Sequence, residues 1–237
     1  MSDFGQIVRV NLDDGSQSWA APEGDLIDNF LGGRGVNAYY LLKELDEDIG
    51  PFSSRNPIIF TPGLLTGSDV YSSSRLHVSS LSPLTGFLGS SSVGGYLGTR
   101  LKSNGIFSLI IEGKSDVPVF IWIDGGELEI RSAEGIWGMN TSRARKKIEE
   151  EVDGQVGAGA IGPAGENMAS MACITLDNGH AAGRTGMGAV MGSKKLKAIG
   201  ASPGDHEIGA GIDDDEPVRE FLDRIQSHPD YEEWSQY

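Results

Sequence analysis

The stretch Asp177–Ile199 reads DNGHAAGRTGMGAVMGSKKLKAI, and the reading of its glycines decides the fold. Glycines at 179, 183, 186, 188 and 192 surround one arginine, Arg184, that looks buried among small residues. A missing Cβ permits close approach and positive φ at an entropic cost, so so dense a run brings the backbone near something. The segment becomes apolar and helical at Ala189–Met191 and ends on Lys194, Lys195 and Lys197. A glycine-rich loop feeding a helix start aims free N–H groups at an anion. Tight helix–sheet packing without a ligand gives the same composition, and both readings stay open on this stretch alone. The lysines read as a solvated helix end that suits the helix dipole.

Upstream, the stretch has an echo. Gly95-Tyr-Leu-Gly98-Thr-Arg-Leu101-Lys102, followed by Phe107–Ile111, matches Gly188-Ala-Val-Met-Gly192-Ser-Lys-Lys-Leu196-Lys197, followed by Ala198–Ala201. Before each copy lies a Gly/Pro turn (Pro62-Gly63; Gly162-Pro163) and an alternating segment, Arg75–Ser80 or Ala169–Thr175. A duplication would place two glycine-rich loop–helix units in related positions, facing one shared ligand. Chance similarity between glycine-rich segments is the alternative.

Periodicity supplies the other elements. Gln6–Leu12 alternates as a strand, Asp13-Asp14-Gly15 turns, and Gln17–Ala20 pairs back as a hairpin. Asp25–Asp46 reads as helix interrupted at Gly32-Gly33-Arg34-Gly35, with Tyr39, Leu42 and Leu45 on one face. Strands are expected at Pro57–Phe60, Arg75–Ser80, Ile106–Glu112, Val117–Ile123, Glu127–Arg131, Val156–Ile161, Ala169–Thr175 and Lys197–Ala201. Ser90–Lys102 reads as a serine- and glycine-rich loop entering a helix. Thr141–Val152 is a charged helix capped by Asn140 or Thr141, with Gly154 beyond its end. Pro217–Gln226 is amphipathic, with Val218, Phe221, Leu222 and Ile225 on one side.

Composition narrows the function. The formal charge is −15, and 11 of the 34 acidic residues lie in 205–237 beside only two arginines. This balance argues against a nucleic-acid partner, which needs clustered Lys and Arg. No apolar run approaches membrane-spanning length and no secretory pattern opens the chain, so a cytoplasmic location is expected. The single cysteine, Cys173, reads as a small core residue, and without a CxxC pair these residues hold no iron–sulfur cluster or Cys-rich zinc site by themselves. The four histidines are scattered.

Few local motifs carry chemistry. Gly157-Ala-Gly159-Ala-Ile-Gly162 matches GxGxxG in form, but Pro163-Ala164-Gly165 follows where a dinucleotide site needs a helix. Arg75 and Arg184 sit in small or apolar loops, and an arginine buried there needs an anion or a carbonyl. The structural alternative is a salt bridge or loop-pinning hydrogen bonds. Ser90-Ser91-Ser92-Val93-Gly94-Gly95 offers hydroxyl and N–H groups to a phosphate, or a serine merely caps the next helix. His180 adjoins the second loop and on its own reads as a hydrogen-bonding loop residue.

Longer motifs carry a family resemblance. Leu31-Gly-Gly-Arg-Gly35, Thr61-Pro-Gly-Leu-Leu-Thr-Gly67, Ser82-Pro-Leu-Thr-Gly-Phe87, Gly94-Gly-Tyr-Leu-Gly98, Ile111-Glu-Gly-Lys114, Ile136-Trp-Gly138, Ile161-Gly-Pro-Ala-Gly-Glu-Asn167 and Ala182–Ile199 occur in the order found in the aldehyde:ferredoxin oxidoreductases, the tungsten-pterin enzymes. Over residues 4–201 the chain resembles their N-terminal domain. The resemblance implies an α+β fold of two β-sheets flanked by helices, layered α-β-β-α and consistent with the internal pseudo-repeat. It implies a base for a bis-pyranopterin tungsten or molybdenum cofactor, aldehyde oxidation to a carboxylic acid, and electron exit through a [4Fe-4S] cluster to ferredoxin.

Residue by residue, Arg75 matches the arginine between pterin and cluster. The loop of Ser92, Val93, Gly94 and Gly95 and the loop of His180, Ala181, Ala182, Gly183 and Arg184 match those that hold the pterin phosphates. Backbone carbonyls of Ser92 and Ala181 match the ligands of a magnesium ion (Mg2+) joining those phosphates. Ser92 stands where the family often has Asn, and His180 where arginine is common. Residues 1–204 are then the cofactor-cradling domain and 205–237 the acidic start of a following helical domain. Cluster cysteines and the catalytic acid and histidine come later in family members. The chain is therefore read as a fragment, a split-gene subunit or a truncated reading frame that needs C-terminal domains or a cysteine-rich partner. A non-catalytic remnant or assembly module of the same fold is the competing reading.

Overall fold

The computed structural model describes residues 4–68, 70, 72–150, 155–206 and 216–231. Alternating apolar residues form β1 (Gln6–Asn11), and β2 (Gln17–Ala20) folds back on it antiparallel, Val8 opposite Trp19. The glycine-broken helix is two helices, α1 (Leu26–Phe30) and α2 (Gly33–Glu44). Its apolar face differs from expectation at Leu42, which is 80% exposed, because the buried stripe runs through Val36, Tyr40 and Leu41. Three antiparallel strands follow, β3 (Ile58–Pro62), β4 (Leu76–Leu81) and β5 (Leu88–Val93). Then α3 (Leu97–Ser103) leads into β6 (Ile106–Glu112). β6 inserts between β1 and β3, parallel to the first and antiparallel to the second, giving the order β2-β1-β6-β3-β4-β5. Covered on both faces, it reads as a continuous apolar run.

The second half repeats this path. β7 (Val119–Asp124) and β8 (Glu127–Ser132) form the hairpin, and α4 (Thr141–Glu149) follows. β9 (Gly157–Ala160), the short α5 (Pro163–Glu166), β10 (Ile174–Thr175) and β11 (Ala181–Ala182) correspond to the three-strand segment. α6 (Met187–Ser193) leads into β12 (Leu196–Ala201), which inserts parallel to β7 in the order β11-β10-β9-β12-β7-β8. The two six-stranded orders are the same, so the faint sequence echo is a duplicated topology. A last helix, α7 (Glu216–Gln226), lies where the amphipathic pattern expects it, with Phe221 exposed and Leu222 half-buried.

α2 covers the outer face of the first sheet, Val36 and Leu41 packing with Ile59 and Ile110. α4 covers that of the second, Ala144 and Ile148 packing with Trp122 and Ala158. The inner faces share one core, including Val8, Phe60, Leu109, Ile121 and Ile199. Into it are wedged the repeat's own helices, α3 through Leu97 and Leu101 and α6 through Met187 and Val190. The layering is therefore α-β-β-α with two short helices held between the sheets. Burial of each large aliphatic side chain here contributes about 1.5–3 kcal/mol.

Three local expectations change. Ser90–Val93 is strand β5, not loop, paired with β4 from Leu76–Val93 to Leu81–Leu88. Of Ala169–Thr175 only Ile174–Thr175 is strand, because residues 170–173 lie against the glycines of α6 backbone to backbone. The end of α4 is Glu149, and residues 151–154, with Gly154, lie outside the described residues. Asn140 is the cap, its Oδ1 accepting the Arg143 N–H at 2.9 Å. Asn140→Ala should cost about 1 kcal/mol, read from a denaturant melt, and an unchanged midpoint would remove the cap from the account.

The lysines are not a solvated helix end. Lys194 and Lys197 are fully buried, because α6 runs without a loop into the central strand β12. The Lys197 ammonium pairs with the Glu166 carboxylate and donates to the Met139 carbonyl at 2.8 Å. Glu166 also accepts the Gly138 N–H at 3.0 Å, so one buried pair joins three of the motifs. Lys194 Nζ donates to the carbonyls of Ser54 and Gly113 at 3.0 and 2.9 Å, tying the first sheet's loops to the second half. Burial lowers its pKa from 10.5 to about 8, with Asp13 and Glu112 opposing. Between those values the unfolded chain holds a proton that the folded chain lacks, so this residue's contribution to stability rises with pH. The melting temperature of the natural chain relative to Lys194→Met should therefore climb from about pH 8 to about pH 10. A flat difference across that window would contradict the assignment.

Candidate functional site

The duplication brings the ends of β5 and β11 side by side. The Arg184 backbone N–H donates to Ser91 Oγ at 3.2 Å, joining the second loop to the first. A Cβ built on Gly94 would lie 3.7 Å from Arg75 Nη1 and 3.8 Å from His180 Nδ1. Arg75, the Ser92–Gly95 loop and the His180–Arg184 loop, far apart in sequence, thus share one place in the fold. Opposite Ser92 in the β4–β5 register stands His77, whose imidazole lies under Gly33 at the start of α2.

The site is basic within an acidic chain. Burial, then the charges of Arg34 and Arg75, hold the His77 imidazole below its ordinary pKa. Its Nδ1 is buried and has no hydrogen-bond partner among the described residues. Arg34 and His77 were not singled out from sequence, because only the third dimension brings α2 onto β4. Local positive charge against a net −15 focuses the field on anions.

The expectation that Arg75 and Arg184 are buried is wrong. Both are exposed, and among the described residues neither guanidinium has an ion-pair partner. Exposure on the loops' outer side, rather than a buried charge seeking compensation, makes them available to a ligand.

The glycines of the opening stretch divide between its two readings. A Cβ on Gly186 would meet the Ser170 carbonyl oxygen at 2.0 Å, one on Gly188 that of Cys173 at 2.4 Å, and one on Gly192 that of Gly165 at 1.8 Å. These three serve close packing. Gly183 is open, its nearest neighbour the Ala181 carbonyl oxygen at 3.9 Å. So the packing half is 186–192 and the accessible half is 180–184, apart from Ala182, whose side chain is buried in the core.

No serine caps α3. The buried Asp177 carboxylate does, accepting the N–H groups of Tyr96 and Leu97 at 2.7 and 3.2 Å through Oδ2. Sequence reading passed over Asp177, although an acid directly after the apolar Ile174–Leu176 was a usable signal. Among the described residues no three His, Cys, Asp or Glu side chains converge on a metal position. The site offers guanidinium, imidazole and amide N–H donors, which suit phosphate, and carbonyl oxygens, which suit a hard cation.

A duplicated two-sheet α+β domain with paired glycine loops at the junction of its halves defines the class. Residues 7–203 match the model of the aldehyde ferredoxin oxidoreductase N-terminal domain. The tungsten-containing aldehyde ferredoxin oxidoreductase of Pyrococcus horikoshii is 46% identical over 198 residues, which is 83% of this chain and 32% of that protein. An aliphatic sulfonate oxidoreductase WOR-like subunit of Pyrococcus furiosus is 33% identical over 229 residues, 89% of this chain and 36% of that one. Among solved structures, the active-site complex BamBC of benzoyl coenzyme A reductase with 1,5-dienoyl-CoA superposes with TM-score 0.89 at 33% identity, covering 94% of this chain and 34% of that one. The chain belongs to the aldehyde ferredoxin oxidoreductase family and corresponds to its N-terminal domain. It spans about a third of the length of these relatives.

Proposed function

We propose that this chain is the cofactor-holding part of a tungsten (or molybdenum) pterin oxidoreductase that oxidises aldehydes to carboxylic acids with ferredoxin as acceptor. The observation that carries the reading is the convergence of Arg75, Gly94 and His180 beside the second loop. Arg75 and Arg184 neutralise the pterin phosphates, His180 offers them a hydrogen bond, and the missing side chains at Gly94 and Gly183 let phosphate oxygens reach amide N–H groups. Carbonyls of Ser92 and Ala181 would be the chain's ligands to a magnesium ion, which would offset the charge of those phosphates. When bound, the metal–pterin group supplies two-electron oxo-transfer chemistry. This chain's residues fix and orient its anionic end, while the [4Fe-4S] cluster and the catalytic side chains come from C-terminal domains or a cysteine-rich partner. Residues 1–204 form the cradle and 205–237, of which 207–215 and 232–237 lie outside the described residues, begin the next domain, all of it cytoplasmic.

A second reading, a non-catalytic assembly module, is favoured by exposed apolar side chains such as Leu31, Phe87 and Met171. Aldehyde-dependent ferredoxin reduction in fractions from the native host separates the two. Activity that co-elutes with this chain and a cysteine-rich polypeptide supports the enzyme. Aldehyde oxidation that elutes wholly apart from the chain supports the module.

A further inference from the structure

Two loops from opposite halves of a duplicated domain must keep a fixed spacing if one anion is to touch both. Neither is enclosed by its sheet: β5 and β11 are both edge strands, and β11 is only two residues long. Beside the Arg184 N–H bond to Ser91 Oγ, a buried carboxylate bonds to both halves. Asp177 is 4% exposed. Its Oδ2 accepts the N–H groups of Tyr96 and Leu97, the residues directly after Gly95. Its Oδ1 accepts the Ala158 N–H on β9 at 2.7 Å. Its backbone carbonyl accepts the His180 N–H at 3.1 Å, and the His180 carbonyl accepts the Leu176 N–H at 2.6 Å. Gly95, at φ +104°, leaves room for the carboxylate, since a Cβ there would lie 3.0 Å from Oδ2.

We infer that Asp177 is a positioning residue that sets the spacing of the two loops, an inference resting on the reading of those loops as one phosphate cradle. It touches no ligand itself. Its carboxylate grips the end of the first loop and its main chain grips the start of the second, so the loops move together or not at all. A buried carboxylate taking three N–H donors is hard to replace, because an amide of the same size presents one acceptor where two are needed.

The test uses the full chain, magnesium pyrophosphate as the probe, and amide hydrogen exchange. In Asp177→Asn, exchange at Tyr96, Leu97 and Ala158 should quicken about tenfold or more, and pyrophosphate binding should weaken by a similar factor. Ile148→Ala, a core truncation under α4, is the stability control. It should lower the melting temperature yet leave pyrophosphate affinity within about twofold. If Asp177→Asn loosens the amides but binds pyrophosphate like the natural chain, or loses no more affinity than Ile148→Ala, the inference is overturned. Should Asp177→Asn fail to fold, the natural chain carries the test: pyrophosphate should slow exchange at Tyr96 and at His180 in concert, and protection of one loop alone overturns it. If the natural chain and Arg75→Ala bind pyrophosphate equally, the cradle reading fails. The exchange behaviour of Asp177→Asn still decides whether the loops are clamped.

Discussion

Gly192→Ala should leave too little stability for a folded protein at ordinary temperatures. The added methyl would sit 1.8 Å from the Gly165 carbonyl oxygen and 2.6 Å from its carbonyl carbon, both backbone atoms with no flexible end to yield. Neither helix can retreat. α5 is pinned through Glu166 to the buried Lys197, and a Cβ on Gly165 would itself lie 2.9 Å from the Gly188 carbonyl oxygen. α6 is held between the sheets by Met187, Val190 and Met191, all fully buried. A loss of more than about 4 kcal/mol is expected, seen as insoluble product or a collapsed melt by circular dichroism. Gly183→Ala, where no neighbour lies closer than 3.9 Å, should melt close to the natural chain. A normal melt for Gly192→Ala would undo the account of helix–helix contact.

The second large effect falls on binding and leaves stability alone. Arg75→Ala with Arg184→Ala removes two exposed guanidinium groups that have no ion-pair partner among the described residues. Exposed side chains without structural partners contribute little to folding, so the melting temperature should hold nearly constant. Charge-assisted contacts to phosphate are stronger than neutral ones, and losing both should weaken magnesium pyrophosphate binding by about tenfold or more. Calorimetric titration reads the affinity and scanning fluorimetry the stability. Equal affinity in both chains would remove these arginines from the cradle. A fall in both quantities would make them structural.

The fold was legible where periodicity and repetition coincide. The copy at Gly95–Lys102 and Gly188–Lys197 anticipates two loop–helix units in related positions, which the matching sheet orders bear out; that both helices lie between the sheets was not legible there. What composition hid were burials that only tertiary contact makes. Lys194 and Lys197 look solvated in a KKLK run, but the chain enters the core directly after α6 and satisfies them with carbonyls and Glu166. Residues 170–173 look like a strand and are instead shaped by the glycines they touch. At the site, the glycine loops and Arg75 could be named from sequence. Arg34 and His77 could not, since α2 and β4 meet only in the folded chain, and Asp177 is marked in the sequence only as an acid directly after the apolar Ile174–Leu176.

The central claim is that this domain holds a metal–pterin group by its phosphates. The most direct test is tungsten, molybdenum and pterin analysis of the chain isolated from its native host, with its partners identified by mass spectrometry. The account predicts tungsten or molybdenum in fixed ratio to pterin and to this chain, together with a cysteine-rich polypeptide, and loss of both metal and pterin in the Arg75→Ala, Arg184→Ala chain. A natural chain recovered alone, free of metal and pterin, would contradict it.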